Sequence, residues 1–345
     1  MPFLMSPSLI TIPVHNALEA TLACLEALCA AGSDMRNVLV VDNGSAHHVS
    51  AEIRYRFREV ALVSQPNLGF AAAANVGIRA SARRGFRYTW LLNSDAVVTK
   101  DTYGELLRFM EHPSNEKVGA CSPLIYRNGL PDEPDFAGAW VDRDDWSSSH
   151  HRAIGTTPTV GHRTRVAVLT GCAMFVRNDA ATRAGLMDER FFLYWEDADF
   201  SFRLSKSGYA LAVVPTAVVY HRVWGSSGSA ALPNYYDTRN RFLMWRNHAP
   251  ASGSQKSFRR LVTSALTGLA GINAGLETDV AVARAKGIID GIGGRFGQRA
   301  VLPPHAVATM LVPALFATSL GYRLYSDPAT YLCRGWQRGV AFLGR

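Results

Sequence analysis

The strongest constraint on this chain is an alternation. Apolar runs of strand length are followed by segments of helical periodicity, and each run ends in polar residues. "SLITIPV" (8–14) is rich in β-branched residues and stops at Pro13 and the pair His15-Asn16. Residues 17–32 space their apolar side chains like a helix and close on Gly32. "NVLVVDNGS" (37–45) has a buried-strand pattern that ends in a polar turn, and "EVALVSQPNLGF" (59–70) repeats the design. Residues 69–85 predict a helix closed by Gly85, and "YTWLLNSDAVV" (88–98) a strand running into Asn93-Ser94-Asp95. This order is satisfied by a parallel, doubly wound α/β sheet with right-handed crossovers. Such sheets bind ligands beyond the carboxyl ends of their strands. His15 and Asn16, Asp42 and Asn43, Gln65 and Asn67, Asn93 and Asp95 all fall at those ends. Each pair alone is ordinary turn chemistry; four in succession predict a shared cleft.

Composition narrows the function classes. With 345 residues, 48% hydrophobic and 19% charged, the chain can bury a core and is not of disordered type. The length suits about two domains, or one large α/β domain with an extension. Five scattered cysteines without a CxxC pair point away from a zinc site or a disulfide framework and toward a reducing compartment. "MPFLMSPSLI" lacks the basic and apolar regions of a secretory leader. The most apolar long run, 306–322, is interrupted by Pro313. A cytoplasmic protein is therefore expected. Of the net +8, residues 251–345 hold +7, from 11 basic against 4 acidic side chains. A basic, apolar tail fits either peripheral contact with an anionic membrane or a solvated helical face. No basic stripe with interleaved stacking aromatics suggests nucleic acid.

Residues 128–165 are polar and irregular, with Trp140 and Trp146 set among acids. That mix suits stacking on a sugar, and equally a decorated hairpin. Beyond it, a strand and turn are expected at 168–179 with a short helix to Gly185, then two short strands around Pro215 within 209–221. Helices follow over 234–248, 256–272, 278–292 and 306–325.

The stretch "FFLYWEDADFSFRLSKSGY" (191–209) runs large aromatics into three acids. In a helix starting near Trp195, Glu196, Asp199 and Arg203 share a face, with Asp199 and Arg203 an i,i+4 pair. First-turn acids suit the helix dipole, but Asp197 leaves that face without a cation on its own helix. A carboxylate at the edge of an apolar wall, with a raised pKa, is a usable general base. Asp95 and His221 each follow a predicted strand. An oxygen and an imidazole nitrogen together suit Mn²⁺, with Mg²⁺ also possible; alone, His221 also reads as a capped strand end. There is neither a GxxxxGK[ST] nor a GxGxxG motif, so phosphates would be held by a metal and loop donors.

Taken in order, "TIPVHN", "VLVVDNGS", "NLGFAAAANVGI", "LLNSDAVV", "GCAMFVRNDA", "FFLYWEDADFSFRLSKSGY", "VVYH" and "YYDTRNRFLM" resemble the inverting glycosyltransferases of family 2, and best their rhamnosyltransferase-like branch. The resemblance runs from about residue 8 to 248, and "GIIDGIGGRFGQR" (287–299) is similar to the tail of that branch. It implies a GT-A fold, a Rossmann-like nucleotide-diphospho-sugar transferase fold with a mixed central sheet, plus a helical C-terminal extension. Residues 1–250 would be the catalytic domain, with a nucleotide-binding half to about 125 and an acceptor-binding half after it; 251–345 would be the extension. It further implies that Pro13, His15, Asn16 and Asp42 receive the base and ribose, and that Asn67, Asn75 and Arg79 line the donor. Asn93-Ser94-Asp95 stands at the Asp-x-Asp metal motif, with Asn93 replacing the first Asp. Asp197 matches the general base, Glu196 its partner and His221 a late metal ligand. Trp195, Trp140 and Arg203 are candidates for the acceptor side. The implied reaction is metal-dependent (Mn²⁺ or Mg²⁺) transfer from a dTDP- or UDP-linked sugar, with dTDP-rhamnose favoured, to a glycan or lipid-linked oligosaccharide of the cell surface. That chemistry places the protein at the inner face of the membrane. A nucleotide-sugar-binding or membrane scaffold protein without turnover is the alternative.

Overall fold

The computed structural model describes residues 7–127, 130–142, 148–150, 165–221, 230–249, 260–265 and 278–299. The expected alternation is present. Strand β1 (Ser8–Val14) leads to α1 (Leu18–Ala30), β2 (Val38–Asn43), α2 (His47–Arg56), β3 (Ala61–Gln65), α3 (Phe70–Arg83) and β4 (Tyr88–Leu91). Then come β5 (Ala96–Val98), α4 (Thr102–Glu111), β6 (Val118–Arg127), β7 (Leu130–Phe136), β8 (Ala139–Asp142), β9 (Ser148–His150) and β10 (Arg165–Val168). The described chain continues through β11 (Phe175–Arg177), α5 (Asn178–Ala184), α6 (Glu196–Lys206), β12 (Ala210–His221), α7 (Ala231–His248) and α8 (Thr278–Ile292).

The main sheet has the order β3-β2-β1-β4-β11-β6-β12-β5, with β7 added on β6. Its first half is parallel, β1 pairing with both β2 and β4, and β2 with β3. Then β11 enters antiparallel to β4 and β6, and β5 antiparallel to β12, so the sheet is mixed. The all-parallel sheet read from strand order alone holds only as far as β4. The antiparallel β11 is three residues long, too short to leave a period in the sequence.

Continuous apolar runs become buried central strands, as the β2 side chains show. By contrast β3, expected to match β2, is a largely exposed edge strand. Gly77 lets α3 lie close on β1, since a Cβ there would stand 2.1 Å from the Thr11 methyl.

Three expectations change. Helix α2 was not anticipated: its N-cap Ala46 makes no side-chain cap bond. The 209–221 region is one strand, β12, with an irregular register between Val214 and Val218, so Pro215 sits at a bulge where no ladder N–H is needed. The polar stretch after residue 128 contains strands, of which β8 and β9 pair within a three-stranded β10-β8-β9 sheet. Trp146 and the expected 306–325 helix lie outside the described residues.

The chain divides into two compact units. One comprises Met1–Val141, Ser148–Glu189 and Glu196–Gly225; the other Asp142–Ser147, Arg190–Trp195 and Ser226–Arg345. Helix α7, read from sequence as the end of the catalytic domain, thus groups with α8. Within this unit Gly287 and Gly291 face α7. A Cβ on Gly287 would stand 2.8 Å from the Tyr235 carbonyl oxygen, and one on Gly291 2.3 Å from the Phe242 ring. No helix among the described residues is long and apolar enough to cross a membrane.

Candidate active site

The ends of β1 and β2 and the turn after β3 carry one polar network. His15 Nδ1 lies 3.1 Å from the Asn43 carbonyl oxygen, and its Nε2 lies 3.3 Å from both the Asn16 and the Asn67 side-chain amides. Asn43 donates to Asn67 Oδ1 (3.2 Å) and accepts from Gln65 Nε2 (2.9 Å). Asn16, at φ 53°, accepts the Ala46 N–H at 2.9 Å and so ties the end of β1 to the turn after β2; Asn tolerates this left-handed backbone better than most residues. Asp42 is buried, which disfavours its charge, yet hydrogen bonds from Ser50 and Ser45 hold its carboxyl below the ordinary value. Pro13 is half-buried within β1, opposite Val41. His15 thus links Asn16 to Asn67, while Asp42 is held by Ser45 and Ser50.

Asn75 and Arg79 do not join them. Asn75 is buried on α3 and exchanges hydrogen bonds with the Met187 backbone, N–H to Oδ1 and Nδ2 to carbonyl, both 2.9 Å; Nδ2 also donates to Glu189. Arg79 pairs with the same Glu189 at 3.5 Å. These two residues tie α3 to the 187–189 segment.

A second cluster lies where β5 pairs with the end of β12, His221 opposite Ala96. His221 Nε2 is 3.1 Å from Asp95 Oδ1, both side chains about a quarter exposed. Burial would depress the imidazole, but Asp95 and Cys172 beside it push its pKa up, to about 11. Asn93 and Ser94 are half-buried in the turn before β5. Among the described residues, no group of three His, Cys, Asp or Glu side chains is arranged to hold an ion. Two cis ligands of an octahedral ion at about 2.1 Å are roughly 3 Å apart, which matches the Asp95–His221 spacing. Asp95 and His221 could anchor an ion together once His221 gives up the proton it shares with Asp95, with phosphate and water supplying the other ligands.

The third cluster is the start of α6. Asp197 Oδ2 accepts the Gly171 N–H at 3.0 Å, and Oδ1 the Ala198 N–H at 2.7 Å. Gly171 opens the single turn Gly171–Ala173; a Cβ on it would meet the Phe70 ring at 2.9 Å. The next residue, Cys172, accepts the Asn93 N–H through its carbonyl at 2.8 Å. One turn thus touches Asp197 on one side and the Asn93–Asp95 and His221 cluster on the other. Glu196, one residue before Asp197, carries a raised carboxyl. It is buried, with Oε2 lacking a hydrogen-bond partner among the described residues. Burial, with the neighbouring Asp197 charge, pushes it up to about 8.

The expected Asp199–Arg203 pair is formed at 2.7 Å, with Asp199 fully buried. Arg203 also donates to the carbonyls of Ala184 and Leu186. Its guanidinium is thereby engaged inside the fold, which speaks against the expected acceptor contact. Trp195 donates through Nε1 to Asp237 at 2.9 Å, and Trp140 is half-buried on β8. Sequence reasoning assigned no role to Gly171, Cys172, Asp237, Arg239 or Asn240. Their only signal was membership of "GCAM" and "YYDTRN".

The profile of glycosyl transferase family 2 matches residues 9–168. The N-acetylglucosaminyl-diphospho-decaprenol L-rhamnosyltransferase of Mycobacterium tuberculosis is 27% identical over 219 residues, 56% of this chain and 68% of that protein. A dTDP-rhamnosyl transferase of Shigella flexneri is 23% identical over 62% of this chain and 72% of its own. Among solved structures, GalNAc-T7 with UDP, GalNAc and Mn²⁺ aligns with a TM-score of 0.55 at 14% identity, over 75% of this chain and 50% of that one. A mannosyltransferase from Pyrobaculum calidifontis, in complex with GDP-Man and Mn²⁺, aligns at 0.50 and 15% identity over 94% and 84%. With the mixed sheet and the polar strand ends described above, the chain has a GT-A-like fold, and its residues 9–168 form a glycosyl transferase family 2 domain.

Proposed function

We propose that the protein transfers a sugar, rhamnose from dTDP-rhamnose, to a hydroxyl of a glycan or lipid-linked oligosaccharide in cell-surface polysaccharide synthesis, with inversion at the sugar carbon. The observation that carries this reading is the Gly171–Cys172 turn, whose Gly171 N–H donates to the carboxylate of Asp197 and whose Cys172 carbonyl accepts the N–H of Asn93, two residues before Asp95. The donor sugar is suggested by the two rhamnosyltransferase relatives.

Each residue then has a task. The pocket of His15, Asn16, Asp42 and Asn67 receives the base and ribose. Asp95 and His221 would hold Mn²⁺ or Mg²⁺. When bound, that ion supplies positive charge to the departing diphosphate. Asp197 accepts the proton of the acceptor hydroxyl as its oxygen bonds to the sugar carbon and the bond from that carbon to the diphosphate breaks. One base suffices for this single displacement; a double displacement would need a nucleophile and a second step. The Gly171 N–H keeps the Asp197 carboxylate oriented. Glu196, neutral near pH 7, adds no second charge beside the developing alkoxide. The basic stretch after residue 251 would rest on an anionic leaflet near a lipid-linked acceptor.

Calorimetric titration with dTDP-rhamnose and with UDP-sugars, each with and without Mn²⁺, tests the reading. Metal-dependent binding of dTDP-rhamnose alone supports it. Preference for a UDP-sugar replaces the donor, and binding that ignores the metal removes the role given to Asp95 and His221.

A further inference from the structure

The segment that delivers the chain into α6 is held in an unfavourable conformation. Phe192, Tyr194 and Trp195 have φ of 67°, 68° and 73°, and none is glycine. Bulky side chains in the left-handed region are outliers that persist only when their surroundings impose them. Several of the groups that hold the segment are on α7. Asn240 Nδ2 donates to the carbonyls of Phe191, Leu193 and Tyr194 at 2.9, 2.7 and 2.8 Å. Arg239 Nη2 donates to the Phe191 carbonyl at 2.8 Å, and both its Nε and Nη2 donate to Asn240 Oδ1, fixing that amide. Asp237 accepts the Trp195 indole N–H, and Tyr236 stacks on Phe192 with ring centroids 5.0 Å apart. Arg239 and Asn240 are fully buried. A buried arginine bound to carbonyls and an amide, with its guanidinium carbon 4.6 Å from the Tyr236 ring centroid, is costly to retain for packing alone.

We propose that Asp237, Arg239 and Asn240 are positioning residues for sugar transfer: they hold 191–195 in this strained form and thereby set where α6 and its Asp197 begin. The clamped segment groups with α7 and α8, whereas α6 belongs to the first unit. The link used is the peptide bond from Trp195 to Glu196. The proposal rests on Asp197 being the base of the proposed function.

The test compares full-length Asn240→Ala, Asp237→Leu and Asp237→Asn with the wild type. Amide hydrogen exchange is read over peptides covering 190–206, with steady-state transfer from dTDP-rhamnose. Asp237→Leu is the milder variant should Asn240→Ala fold poorly, because Asp237 is partly exposed. Asp237→Asn keeps an oxygen for the indole. The expected result is exchange at least tenfold faster over 190–206 in Asn240→Ala and Asp237→Leu, with peptides of β1 to β4 unchanged. The turnover number kcat falls at least tenfold, the donor KM stays within twofold, and Asp237→Asn recovers most of both effects. Unchanged exchange at 190–206, a uniform rise along the chain, or a loss carried by donor KM would overturn the proposal. A wild type inactive with dTDP-rhamnose would overturn the donor assignment, and the exchange data would still decide the clamp.

Discussion

Glu196→Gln separates burial of a charge from every other consequence of the α6 acids. In the folded protein the Glu196 carboxyl stays protonated up to about pH 8, against an ordinary value of 4.5. Between those values the native state holds a proton that the unfolded chain has released, so stability falls as pH rises through this window and levels off above it. Integrating from pH 5 to pH 8.5 at about 1.4 kcal/mol per unit gives a loss of about 4 kcal/mol. Glutamine cannot ionise, so the variant escapes this loss. It brings instead an amide NH₂ to the place of the unpartnered Oε2, at a pH-independent cost of about 1–3 kcal/mol. The variant should therefore be no more stable than wild type at pH 5 and gain on it steadily toward pH 8.5. At about 1.4 °C per kcal/mol for a chain of 345 residues, the difference in melting temperature between variant and wild type should shift by roughly 5 °C. Thermal melts of both proteins at half-unit pH steps measure this. A difference that stays flat from pH 5 to 8.5 would refute the reasoning, because Glu196 would then ionise as freely folded as unfolded.

Three further outcomes follow from the geometry. Asp95→Asn should abolish the dependence of donor affinity on Mn²⁺ and reduce transfer at least a hundredfold with little change in melting temperature, read by calorimetry and steady-state assay. Gly171→Ala forces the Phe70 ring or the turn to move and should cost about 1–3 kcal/mol together with a tenfold or larger loss of kcat; denaturant melts and kinetics read the two effects. Gly287→Ala meets backbone atoms, the Tyr235 carbonyl oxygen at 2.8 Å and the Arg239 nitrogen at 3.2 Å, so it should destabilise the α7–α8 pair by about 1–3 kcal/mol, seen as faster amide exchange in both helices.

The sequence was legible where chemistry repeats along the chain. Strand β1 and helix α8 were read with their bounds, because one is β-branched up to its proline and the other keeps a helical period. The polar strand ends that gather His15, Asn43 and Asn67 were visible for the same reason: the turns recur, so the cluster could be inferred before any contact was known. Reading failed where tertiary contact outweighs local pattern. Helix α2 makes no side-chain cap bond at its start, and β11 is three residues long. The amide of Asn75 closes onto Met187, a partner 112 residues away that no local pattern announces. The role of Gly171 depends on an N–H direction that no periodicity encodes. A raised carboxyl is found on Glu196, which is buried one residue from the less buried Asp197, and the helix period alone does not rank burial between such neighbours.

The most direct test of the whole account is Asp197→Asn. The amide can still accept the Gly171 N–H through its oxygen but cannot take a proton from the acceptor hydroxyl. Transfer of rhamnose to a lipid-linked acceptor, followed by product chromatography, should fall at least a thousandfold, with calorimetric donor affinity in the presence of Mn²⁺ unchanged within threefold. Near-wild-type transfer by this variant while it still binds donor would contradict the assignment of Asp197 as the base.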